Sequence, residues 1–141
     1  MKKFLFIVIC FVTMTITSAN AQQKKTTYTL SQIDGIWLTT EAYNEKAKEW
    51  KTLEDNEVIG FAFTSVKSNG MNVALSNSGD GTIHFVYTFS NNVIRLYDID
   101  NHSKLLITIY VSSLKRGQSF IGRLSTTTSE YSINFKFTHI E

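Results

Sequence analysis

The chain has no proline and a single cysteine among its 141 residues, and only two of its residues are tryptophan. With Cys10 as the sole thiol, no disulfide can form within the chain, and multi-cysteine metal sites are excluded with it. Clustered charge of one sign is also missing. No basic run exceeds pairs such as Lys24-Lys25 and Lys115-Arg116, so there is no electrostatic footprint for nucleic acid. The only long apolar run, Phe4 to about Thr17, is shorter than the roughly 20 residues that a spanning helix needs, so no membrane span is expected.

That run has a different reading. In MKKFLFIVICFVTMTITSANAQQ, Lys2 and Lys3 form a basic start, an apolar core follows, and Ala19-Asn20-Ala21 supplies a small-residue cleavage site. Residues 1–21 are therefore expected to be a signal peptide, and residues 22–141 a secreted or periplasmic domain. Cys10 follows Ile9 in the middle of the apolar core rather than small residues at its end, so it does not suit lipid attachment. Lys2 and Lys3 account for two of the 14 Lys and Arg, so the chain from Gln22 balances 12 basic against 12 acidic residues. Without a thiol, it must be held by its core alone, and about 120 residues suffice for one domain.

From residue 57 onward, one strand pattern follows another. EVIGFAFTS (57–65), MNVALS (71–76), GTIHFVYTFS (81–90), NVIRLYDI (92–99), KLLITIYVSS (104–113), QSFIGRLSTT (118–127) and EYSINFKFTHI (130–140) are rich in β-branched and aromatic residues, and several alternate with period two. Ser68-Asn69-Gly70, Asn77 to Gly81, Ser90-Asn91-Asn92, Asp100-Asn101-His102 and Arg116-Gly117 supply turn chemistry between them. With one more strand near Gly35, the pattern predicts an all-β fold: an antiparallel up-and-down barrel of about eight strands.

Two segments stand apart. EAYNEKAKEWKTLED (41–55) is rich in Glu, Lys and Ala, with Tyr43, Ala47 and Trp50 spaced by four and three; it reads as a short helix, with a hairpin of irregular strands as the alternative, and a lid over a barrel mouth is one use for it. Gln22 to Thr29 is polar and is expected to fray.

Catalytic and metal-binding patterns are sparse. His84, His102 and His139 lie in three separate segments without ligand spacing. DIDNH (98–102) lacks the glycine and distal glutamate of a calcium loop, and NSGDG (77–81) lacks the ending of a phosphate loop, so both read as turns. There is no Gly-x-Ser-x-Gly, and Glu54-Asp55 reads as a solvated pair. No catalytic residue, metal ligand or cofactor is assigned, and the chain is read as a non-enzyme.

Gly35-Ile36-Trp37 opens the first strand. Together with the number of strands and the size of the chain, it resembles the lipocalin-like (calycin-type) families, whose first strand carries Gly-x-Trp. The resemblance implies that Trp37 plugs one barrel end against a basic side chain from a late strand. Arg123 is the candidate for that role, with Arg95 second. The chain departs from full-sized lipocalins in ending on a strand and in lacking further motifs and a disulfide. Phe61, Phe63, Phe85, Tyr87, Phe135 and Phe137 recur at period two and are the expected lining of an apolar interior. The function expected is non-catalytic binding of a small apolar or amphipathic ligand. The alternative is a protein-interaction or envelope-associated β module with a filled core. Interior volume separates the two, because a binder needs roughly 300 Å³ or more.

Overall fold

The computed structural model describes residues 26–77 and 81–141. Residues 1–21, expected to be a signal peptide and including Cys10, and residues 78–80 of the Asn77–Gly81 turn lie outside the described residues.

Among the described residues, nine strands follow a four-residue helix, α1 (Leu30–Ile33): β1 (Gly35–Asn44), β2 (Glu49–Thr52), β3 (Gly60–Ser68), β4 (Met71–Asn77), β5 (Thr82–Ser90), β6 (Val93–Asp98), β7 (Asn101–Lys115), β8 (Ser119–Thr126) and β9 (Ser132–Ile140). Strands β3 to β9 pair in chain order, and β1 bonds both β3 and β9. All pairings are antiparallel, so eight strands close into an up-and-down barrel and leave β2 as an extra strand on β1. Closure gives each of the eight a partner on both sides, which removes the sheet edges that an open meander would expose.

The segment expected to be helical is a hairpin instead. Glu41 to Asn44 pair with Glu49 to Thr52, and the Tyr43 and Trp50 rings meet edge-on across the pair at 5.4 Å. Asn44 builds the turn: its Oδ1 accepts the backbone N–H groups of Lys46 and Ala47, and Lys48 takes a left-handed φ of 59°. The spacing of Tyr43, Ala47 and Trp50 that suggests a helical face thus arises from a cross-strand pair around a turn. After β2 the chain makes a short 3₁₀ excursion at Asp55–Glu57 and rejoins β1 lower down. Backbone bonds from Leu53 to Thr40 and from Thr39 to Ile59 mark where it leaves and returns.

Alternation places the core. Trp37, Phe61, Phe63, Phe85, Tyr87, Ile109, Phe120, Phe135 and Phe137 point inward and are buried. A bulge between Thr39 and Glu41 shifts the phase of β1, so that Trp37 and Thr39 face inward before it and Ala42 packs on the core after it. Gly122 makes room where the packing is tightest: a β-carbon there would lie 2.7 Å from Phe137 Cε2 and 2.8 Å from Ile109 Cγ2. The Phe137 ring stacks on Phe120, with centroids 4.5 Å apart.

One barrel end is shut by the segment before β1. Asn92, buried in the β5–β6 turn with φ 62°, accepts the Tyr28 N–H at 2.8 Å and donates Nδ2 to the Thr26 carbonyl at 2.6 Å. The Tyr28 hydroxyl accepts the Leu114 N–H at 3.2 Å. Residues 26–28, expected to fray, are thereby tied down, because a buried amide side chain imitates a strand partner for them. Ile33 then packs into the core, and its carbonyl accepts the Trp37 indole N–H at 2.7 Å.

Candidate functional site

Among the described residues, the opposite end is open. Between the start of β5, the end of β8 and the β8–β9 loop lies a cavity of about 390 Å³. Its walls are Ile59, Phe61, Ile83, Phe85, Ile107 and Leu124, and Ser76, Thr126, Thr128, Ser129 and Tyr131 add hydroxyl groups. Alternation brings them together, since inward positions near one end of every strand converge on the barrel mouth. Ile83 precedes Phe85 on the same face of β5, yet it is 49% exposed because it stands at the rim. Tyr131, 39% exposed, stands at the rim on the β9 side, where partial burial raises its phenol above the ordinary range. Apolar groups facing water in a concave site form a surface that an apolar molecule would dehydrate favourably.

The six aromatics expected to line an interior divide. Phe61 and Phe85 line the cavity, whereas Phe63, Tyr87, Phe135 and Phe137 are buried deeper, in side-chain contact with one another or with their neighbours. Tyr87 donates its hydroxyl to the Thr64 carbonyl at 3.1 Å. Period two identifies the inward face but not the depth along the barrel axis, and depth decides which inward residues meet the cavity. Ser76 could have been found by the same parity: it alternates with the inward Asn72 and Ala74 on β4, a polar residue at a core position. The rim hydroxyls on the β8–β9 loop carry no periodic signal.

The Gly-x-Trp resemblance implies a basic partner from a late strand for Trp37; at the closed end Gly35 and Trp37 both lie against His139. Trp37 is fully buried, edge-on to Phe120 at 4.8 Å and to His139 at 4.9 Å. Arg123 is exposed on the outer face of β8, between the inward Gly122 and Leu124, and Arg95 likewise alternates with the inward Ile94 and Leu96. An outward side chain cannot stack on an indole inside the barrel, so His139 takes the place assigned to a basic residue.

The turn at Asp98 is a hairpin connection, with Asp98 Oδ1 accepting the Asp100 N–H at 2.7 Å. Among the described residues, no group of three or more His, Cys, Asp or Glu side chains is placed to hold a metal ion. No helix among them is long and apolar enough to cross a membrane.

On the outer face, Ile140, Ile36, Ala62 and Leu75 are successive cross-strand neighbours over β9, β1, β3 and β4. They line a groove of about 500 Å³ that also includes Asp55 and Asn77. Ile36 is 45% exposed in it.

No family model matches the chain, and neither a curated protein nor a solved structure is significantly similar to it.

Proposed function

We propose that the protein is a non-catalytic carrier or receptor for a small apolar or amphipathic molecule, held in the open mouth of a lipocalin-like barrel and working outside the cytoplasm. The observation that carries this reading is the cavity of about 390 Å³, with apolar walls and hydroxyl groups but no charged group among its described lining residues. It exceeds the roughly 300 Å³ needed to enclose a small ligand. The Gly35-Trp37 arrangement and the eight-stranded closure support the lipocalin-like comparison, and the leader supports export.

A neutral dye that fluoresces in apolar surroundings, N-phenyl-1-naphthylamine, tests the reading. It should bind one-to-one and raise the unfolding temperature with concentration, because a ligand selective for the folded state stabilises it by mass action. Ile83→Asp should weaken binding at least about tenfold by placing a carboxylate in the mouth. At a position 49% exposed it should leave stability nearly unchanged. Absence of dye binding in the unmodified protein would refute the carrier reading.

The second reading, a protein-interaction module, is favoured by the outer apolar row of Ile36 and Ile140. A single-residue change there, Ile36→Lys, should then abolish partner capture without affecting dye binding.

A further inference from the structure

We infer that the occupant of the barrel mouth is an uncharged amphiphile, an apolar chain or small ring system bearing an alcohol or carbonyl oxygen, with Ser76 as its hydrogen-bonding anchor. This inference rests on the carrier reading and narrows it to a ligand class.

The first argument is charge. None of the described residues that line the cavity is Lys, Arg, His, Asp or Glu. A carboxylate or ammonium group entering it would leave water without gaining a counter-charge, a cost that neutral groups avoid. Tyr131 adds no charge, since its phenol is held in the protonated form at neutral pH. Sites that take carboxylates or phosphates supply Arg, Lys or converging backbone N–H groups, and among the described lining residues the polar contribution consists of hydroxyls.

The second argument is Ser76 itself. It is only 5% exposed, yet it lines the cavity. Its cross-strand neighbours are Phe61 on one side and Ile83 on the other, both apolar. A hydroxyl set between two apolar side chains on the cavity wall can serve as a donor or an acceptor to whatever fills the space beside it. Two of the other hydroxyls are engaged with each other: Thr126 Oγ1 and Ser129 Oγ lie 2.7 Å apart, and Ser129 Oγ accepts the Tyr131 N–H at 3.3 Å, whereas Thr128 and Tyr131 are exposed to solvent at the rim. Counting around the closed barrel, β4 with Ser76 lies opposite β8 with Thr126. Ser76 and the mutually bonded pair Thr126 and Ser129 therefore face each other across the apolar cavity.

The third argument is size. About 390 Å³ is near the small end of the ~300 to 1,000 Å³ range of ligand sites. A single medium-length chain or one small ring system fits that volume better than a tetrapyrrole does.

The test is displacement of N-phenyl-1-naphthylamine near neutral pH by three probes that share one chain, 1-decanol, decanoate and decyltrimethylammonium, from the unmodified protein and from Ser76→Ala. Decanol should displace the dye at a concentration at least about tenfold lower than either ion, reflecting the cost of desolvating an unpaired charge. Ser76→Ala should weaken decanol about fivefold, the worth of one neutral hydrogen bond, after displacement is corrected for the variant's own dye affinity. Either ion matching decanol would overturn the ligand class while leaving the carrier reading intact. Decanol preferred but indifferent to Ser76→Ala would overturn the anchor. Failure of the dye itself to bind would remove both the inference and the reading beneath it. The three-probe comparison on the unmodified protein stands whether or not the variant folds.

Discussion

The imidazole of His139 occupies the space where Gly35 would carry a side chain: a β-carbon built on Gly35 would lie 2.6 Å from its Nε2. Gly35 also has a φ of +118°, in the region that side chains disfavour. The same imidazole sits edge-on to Trp37. One glycine thus permits both the backbone turn into β1 and the approach of the ring that helps to seat the indole.

Gly35→Ala should therefore cost about 2 to 4 kcal/mol, part from overpacking against His139 and part from the left-handed backbone. In a His139→Ala background the overpacking share disappears, and the penalty should fall to about 1 to 2 kcal/mol. Denaturant unfolding of the four proteins gives the cycle. Equal penalties in the two backgrounds would show that the ring is not what Gly35 accommodates.

Much of this fold was legible because antiparallel strands advertise themselves twice, by alternation and by turn residues. The Asn91 and Asn92 turn, with φ of 52° and 62°, is the kind of tight connection that Asn-rich dipeptides favour. Alternation also put Phe61, Phe63, Phe85, Tyr87, Phe135 and Phe137 inside. It failed where the signal is not periodic. The hairpin of residues 41–52 has an exposed second strand, so helix-forming Glu, Lys and Ala are tolerated there and mask its β character. The resemblance implies Arg123 as the partner of Trp37, yet its alternation with the inward Gly122 and Leu124 places it outside. The cavity itself was beyond reach, because whether an inward side chain meets a neighbour or empty space depends on its height in the barrel. His139, the actual neighbour of the indole, is inward by the same parity as Phe137.

The two tryptophans should behave differently on truncation. Trp37 is fully buried and donates to Ile33, so Trp37→Ala should cost about 3 to 5 kcal/mol. Trp37→Phe should recover part of that and still lose about 1 to 3 kcal/mol, since it leaves the Ile33 carbonyl without its donor. Trp50 lies on the exposed strand β2, where it meets Tyr43, so Trp50→Ala should cost about 1 kcal/mol or less. Chemical denaturation measures all three, and Trp50→Ala costing more than Trp37→Ala would contradict the burial of the indole at the closed end.

Tyr87 should give the protein an alkaline limit. Its side chain is almost wholly buried, and its hydroxyl donates to the Thr64 carbonyl. Burial, with a smaller contribution from the negative charge of Asp34 and against a hydrogen bond from Asn72, pushes the phenol up from 10.0 to about 12. In the unfolded chain the phenol titrates near 10. Between these values the unfolded state sheds a proton that the folded state keeps, so alkali favours unfolding. The stabilisation from the neutral phenol is thus complete below pH 10, declines as pH rises, and is gone above about 12. Tyr87→Phe should lose about 0.5 to 1.5 kcal/mol at neutral pH with the Thr64 bond, and then fall less steeply than the unmodified protein across that window. Every other tyrosine and lysine is common to both proteins, so the difference between their unfolding free energies isolates this one group. Unfolding curves collected through the alkaline range, with tyrosinate absorbance followed in parallel, measure it. Parallel declines of the two proteins would mean that Tyr87 titrates normally in the fold.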